Sequence, residues 1–96
     1  MKIAFHPEAM REFLEAIDFY EYSESGLGFD FSNEIRTTIR NILGYPNAWP
    51  QLSKDVRRCL VNRFPYGVLY SVERDEILIL AVMNLRRHPD YWKERH

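Results

Sequence analysis

The run Leu85-Arg86-Arg87-His88-Pro89-Asp90-Tyr91-Trp92 gathers two guanidiniums, an imidazole and two aromatic side chains where the final strand-like segment ends. Cations and aromatic rings in one place, reached by a short sheet, read as a surface that meets a macromolecule rather than a pocket for a small molecule. Each member also has a purely structural reading. His88 can cap the turn leading to Tyr91-Trp92, and His6 can open a helix. Arg57, Arg58, Arg63, Arg86 and Arg87 can pair with Asp55, Glu73, Asp75, Glu76 or an acidic first helix. The cluster is therefore more informative than any single residue in it. Three scattered histidines and one cysteine lack metal-ligand spacing, and no Gly-rich phosphate loop occurs, so neither a metal nor a cofactor is expected.

The elements that must position this cluster fit in one domain, 1–96, with one modest core. A composition of 46% hydrophobic, 28% charged and 15% aromatic residues is that of a globular chain. No apolar run approaches the ~18 residues of a membrane span, and no secretory signal precedes Pro7, so a cytoplasmic protein without membrane contact is expected. Cys59, the only cysteine, cannot form an internal disulfide and suits a small core space. The net charge of −1 conceals an asymmetry: residues 1–50 carry four Lys/Arg against eight acids, residues 51–96 nine against six. A front half at −4 and a back half at +3 argue against a protein that coats nucleic acid nonspecifically and leave room for a local basic patch.

Ile3-Ala4-Phe5 reads as a short strand, and Pro7 suits the first turn of a helix because its missing N–H costs nothing there. From about Pro7 to Glu24, Met10, Phe13, Leu14, Ile17 and Tyr20 follow the i, i+3, i+4, i+7 spacing. Glu8, Glu12, Glu15, Asp18 and Glu21 fall on the other side, giving an amphipathic helix with an acidic outer face. Ser25-Gly26-Leu27-Gly28 breaks it, and a second helix over about Phe29 to Leu43 buries Phe31, Ile35, Ile39 and Ile42 or Leu43, so an antiparallel helical hairpin is expected. Tyr45 to Pro50 must be a loop, with Trp49 packed over the helix ends.

Three strands follow: Val56 to Phe64, Gly67 to Glu73 and, after a tight Arg74-Asp75 turn, Ile77 to Met83. The last is apolar on both faces. The hairpin can cover one face, but a chain this short leaves no second layer for the other, so a partner chain is expected to cover it. The alternative cover is the loops, Trp49 and the Tyr91-Trp92 turn. The fold class is α+β: a mainly antiparallel sheet packed on a helical hairpin, in the order β-α-α-β-β-β with a short C-terminal turn or helix.

That order, with the phrases Phe5-His6-Pro7-Glu8-Ala9, Trp49-Pro50-Gln51-Leu52, Arg57-Arg58-Cys59-Leu60, Arg63-Phe64-Pro65-Tyr66-Gly67 and Leu85-Arg86-Arg87-His88-Pro89, resembles the RelE/ParE superfamily of bacterial toxins over nearly the whole chain. The resemblance implies the toxin of a type II toxin-antitoxin, or plasmid stabilisation, module, neutralised by a cognate antitoxin expected on Leu78, Leu80 and Val82. It implies two possible targets, because this scaffold hosts both inhibitors of DNA gyrase and ribosome-dependent messenger ribonucleases. In the ribonuclease case Arg58, Arg87, His88 and Tyr91 match catalytic positions, the arginines for phosphate charge and the others for acid-base chemistry. The arginine that many such ribonucleases place before an aliphatic-aliphatic-Tyr strand falls at Gly67, and a middle-strand lysine falls at Leu60. Glycine cannot neutralise a developing phosphate charge, which favours gyrase inhibition by binding over cleavage. Arg57, Arg63, Arg86 and Trp92 are then expected as target contacts, with no small-molecule substrate. The remaining alternative is a non-toxic remnant that only binds its antitoxin.

Overall fold

The computed structural model describes residues 1–95 and contains β1 (Lys2–Phe5), α1 (Pro7–Ser23), α2 (Leu27–Gly44), β2 (Gln51–Ser53), β3 (Val56–Leu60), β4 (Tyr66–Val72) and β5 (Glu76–Asn84). A 3-10 turn, Lys93–Arg95, closes the described chain. The five strands form one sheet in the order β1-β5-β4-β3-β2, with β1 parallel to β5 and the other neighbours antiparallel. The expected order gains one element, β2, whose three exposed residues carry too little apolar signal to announce a strand.

Local chemistry sets the element boundaries. Pro7 opens α1, and the His6 Nδ1 accepts a hydrogen bond from the Glu8 N–H at 3.1 Å. Gly26, at φ +89°, supplies the left-handed residue between the helices. Gly28 lets them touch: a Cβ there would lie 2.6 Å from the Ile17 carbonyl oxygen and 2.9 Å from the Glu21 Cβ. The second strand of the expectation is shorter than Val56 to Phe64, because Arg63 takes a left-handed φ of 71° and turns the chain.

The main core lies between the hairpin and one face of the sheet, where Phe31, Ile35 and Ile42 of α2 meet Val68 and Tyr70 of β4 and Ile77, Ile79 and Val82 of β5. Phe31 sits among rings at its centre, with centroids 5.2 Å from Phe64 and 4.9 Å from Tyr66 in edge-on contacts. Helix α1 is rotated from its expected setting. Ala9, Glu12 and Ala16 are its buried residues, whereas Met10 and Leu14 are 38% and 53% exposed. Small alanines allow close approach to the sheet, and Glu12 is drawn to the edge of β5 by the bonds described below.

The outer face of the sheet needs no partner chain to be covered. Trp92 is 2% exposed and packs with Val56, Leu69, Leu80, Ala81 and Met83 in a second, smaller core, so the chain's own C-terminal turn is the cover. A bulge in β5 rearranges its faces: Leu69 opposes Ala81 while Tyr70 opposes Ile79, leaving Leu80 as the extra residue. Strict alternation would put Leu78, Leu80 and Val82 on one face. Past the bulge, Val82 turns instead to the hairpin side.

Candidate functional site

Strand β5 runs nine residues, but β1 accompanies it only from Glu76 to Ile79. Beyond that point Glu12 of α1 takes over the edge. Its Oε1 accepts hydrogen bonds from the Val82 N–H at 3.1 Å and from the Arg95 Nη1 at 2.9 Å, and its Oε2 accepts from the Arg95 Nη2 at 3.0 Å. The same Arg95 Nη1 donates to the Leu80 carbonyl at 3.1 Å. Arg87 approaches the Glu12 Oε2 at 3.8 Å. Both guanidiniums lie over the Tyr91 ring, Arg87 at 4.0 Å and Arg95 at 4.9 Å from its centroid. Burial disfavours the charge on Arg95, but the hydrogen bonds and charge of Glu12 outweigh it and raise the guanidinium's pKa.

The cluster at the end of β5 is thus largely engaged within the chain. Burial first, then the Glu12 carboxylate, pushes the Tyr91 phenol above its ordinary pKa and keeps it protonated. A phenol so held is a poor base. The His88 Nδ1 accepts from the Asp90 N–H at 3.2 Å and so caps the turn ahead of Trp92. The Trp92 indole N–H donates to the Pro89 carbonyl at 2.6 Å, and the side chain is enclosed. Trp92 is therefore core here and not a surface contact. Arg86 is exposed, its backbone N–H bonded to the Asn84 Oδ1.

The other singled-out residues lie elsewhere. Arg58 packs its stem on the outer face, with Cδ and Cγ 3.0 and 3.1 Å from where a Gly67 side chain would begin and a Leu85 methyl at 3.5 Å. Any side chain at position 67 would have to displace the Arg58 stem by a few tenths of an ångström. Arg57 donates to the Trp49 carbonyl at 2.7 Å under the loop. Arg63 pairs with Asp30 at 3.5 Å and Glu34 at 4.0 Å on α2. Of the proposed antitoxin contacts, Leu78 is half-buried, while Leu80 and Val82 are closed off within the chain. Burial raises the Cys59 pKa, so this enclosed thiol stays protonated. No group of three metal-ligating side chains occurs among the described residues, and no described helix is long and apolar enough to cross a membrane.

The open groove between α1 and the end of β5 has a volume of about 210 Å³ and is walled by Glu12, Glu15, Phe19, Tyr66, Asn84 and Arg87. It is smaller than the ~300–1,000 Å³ usual for small-molecule sites, and its walls mix Glu12, Glu15 and Arg87 with aromatic side chains. A more accessible apolar feature is aromatic: Phe19 is 64%, Tyr22 96% and Phe29 66% exposed where the two helices meet at their turn.

The profile of the family described as "ParE toxin of type II toxin-antitoxin system, parDE" matches residues 3–89. The chain belongs to the ParE toxin family. Among solved structures, this ParE-family chain resembles one described as "Chromosomal ParDE TA system from P. aeruginosa", with a TM-score of 0.75 and 19% identity over 90% of this chain and 97% of that one. At that identity the likeness is one of fold. No curated protein sequence matches. The family match stops at Pro89, so Trp92 and Arg95 lie outside it.

Two residues that matter here, Glu12 and Arg95, escape a reading of the sequence alone. Glu12 carries a faint signal: with Ala9 and Ala16 it keeps the 3-then-4 spacing of a buried helical stripe. Arg95 carries none, because its partner is 83 residues away.

Proposed function

We propose that this ParE-family toxin arrests growth by binding, with DNA gyrase or a similarly large enzyme as its target, and that a cognate antitoxin neutralises it in the cytoplasm. One observation carries the choice of binding over catalysis: the groups that could cleave RNA are each held by the fold in another role. The Tyr91 phenol is buried beneath two guanidiniums with its pKa raised, which leaves it neither a ready base nor a ready proton donor, and the His88 Nδ1 caps a turn. The Arg58 stem lies against Gly67 and Leu85, while the Arg87 guanidinium faces Glu12 and Tyr91. Charge clamping and proton transfer need such groups converging on one phosphate. A binding toxin needs only a surface, and Phe19, Tyr22 and Phe29 at the tip of the hairpin, with exposed Arg86 near the end of β5, offer apolar anchors and a cation.

Controlled expression in bacteria tests the reading, with transcript 5′ ends mapped while the supercoiling of a reporter plasmid is followed. Altered supercoiling with intact transcripts is the expected result. New 5′ ends within translated codons would replace it with ribosome-dependent messenger cleavage, and growth without either effect would identify a chain that only binds its antitoxin.

A further inference from the structure

The Glu12–Arg95 pair is the one salt bridge among the described residues with both side chains nearly enclosed, at 7% and 11% exposure. It joins the first helix to the last described residue. Its two side chains also occupy the backbone of β5 where β1 has ended: the carboxylate takes the Val82 N–H and the guanidinium takes the Leu80 carbonyl. These are the groups a neighbouring strand would bond, so the ion pair stands in for a strand that is not there.

Three residues before Arg95, Trp92 closes the outer face over Val56, Leu69, Leu80, Ala81 and Met83. Between these anchors and the end of β5, residues 85–90 are all exposed. Leu85 is tied to the β3–β4 turn by its N–H bond to the Pro65 carbonyl at 2.9 Å, and the rest are held by turn bonds such as Arg87 N–H to the Asn84 carbonyl at 3.0 Å. Past Leu85 the segment thus has a hinge at Arg86–Arg87, one enclosed side chain and a close two-pronged latch of Arg95 on Glu12, with half-exposed Arg87 a looser contact to the same carboxylate at 3.8 Å. No strand pairing holds it past Leu85, and such segments open at lower free energy than the core they cover. Removing Arg95 from this enclosed pair leaves the Glu12 charge only the more distant, half-exposed Arg87 and the Val82 N–H, so the latch is the sensitive point.

We infer that residues 86–95 form a hinged strap, latched by Arg95 on Glu12, that opens as a unit and uncovers the outer face of β4 and β5 together with the β5 edge at Leu80 and Val82. The strap is a property of the fold and does not depend on which target the toxin binds.

The test uses the full chain carrying Trp49→Phe, which leaves Trp92 as the single tryptophan, with hydrogen exchange and acrylamide quenching as readouts. Arg95→Ala is expected to raise exchange at the Val82 amide and the Trp92 indole at least tenfold and to increase quenching. Amides of Ile35 in α2 and Tyr70 in β4 should keep their protection. Glu12→Gln separates the two bonds of the latch: its amide oxygen still accepts from Val82, so Trp92 should be uncovered more than Val82 is. Arg11→Ala, which removes only exposed pairs with Glu8 and Glu15, should change neither site. Equal acceleration of all these amides by Arg95→Ala would overturn the strap, as would unchanged protection of Val82 and Trp92. Should Arg95→Ala not fold, Arg95→Lys, which keeps the charge but loses the two-pronged contact, must give the same local pattern in weaker form. Uniform or absent acceleration in that variant overturns the proposal as well.

Discussion

His88 and Arg87 look like catalytic groups in the sequence, but in the fold one caps a turn and the other lies over Tyr91 beside Glu12. For a toxin that acts by binding, His88→Ala should leave growth arrest intact and cost only the turn bond, about 0.5–1.5 kcal/mol in a urea titration. Loss of growth arrest at unchanged stability would restore His88 to an active site. The exposed aromatics behave oppositely. Phe19 and Tyr22 are 64% and 96% exposed, so Phe19→Ser with Tyr22→Ser should change stability by no more than about 0.5 kcal/mol per site. Buried aromatic anchors dominate protein interfaces, so the same pair should abolish growth arrest and the supercoiling effect. Full toxicity of the folded double variant would move the contact surface away from the hairpin tip.

At the scale of elements, the close approach of the two helices requires Gly28. Adding a Cβ there would press on the Ile17 carbonyl at 2.6 Å, a backbone atom that cannot rotate away. Alanine's better helix propensity offsets about 1 kcal/mol of an overpacking cost of about 1–3 kcal/mol, so Gly28→Ala should destabilise by up to about 2 kcal/mol, read as a fall of up to roughly 16 °C in Tm. Gly44→Ala, with nothing within 4 Å of the added atom, serves as the contrasting variant and should not lower the Tm. The bulge at Leu80 is the other decision made at this scale. It splits β5 into a segment paired with β1 and a segment capped by side chains, and it alone determines that Val82 joins the main core.

For the whole molecule, the charge asymmetry becomes a division between layers, with an acidic hairpin against a sheet and C-terminal turn rich in arginine. Stability should be asymmetric in pH as well. Burial raises the pKa of Tyr20, Tyr66 and Tyr91 above the ordinary tyrosine value of 10.0, that of Tyr70 to about 12, and that of Cys59 above 9.0. A raised pKa on an acid means that the folded chain favours the neutral form. The contribution is therefore complete below the unfolded pKa and is lost as pH rises through the folded one. Unfolding free energy should hold steady up to about pH 9 and then fall, with the Tyr70 share disappearing between 10.0 and about 12. Tyr70→Phe also loses the hydroxyl's 2.7 Å bond to the Pro46 carbonyl, so it should be less stable at neutral pH and show a shallower alkaline decline. An equally steep decline in that variant would assign the effect to other groups.

Periodicity and turn chemistry are local, and they made most of this fold legible: the helical hairpin from its apolar spacing and Gly26, the Arg74-Asp75 turn, and the family resemblance from short phrases along the chain. His6 and His88 as caps were also legible, because a cap bonds a backbone N–H two residues on. What the sequence could not determine depends on residues far apart in the chain. Glu12 reads as one more outward acid until Val82 and Arg95, 70 and 83 residues away, are placed beside it. The cover of the outer face by Trp92 was a choice between this chain and a partner, because an apolar face requires burial without specifying by what. Only the tertiary structure, by closing the chain's last turn onto its first helix, made that choice.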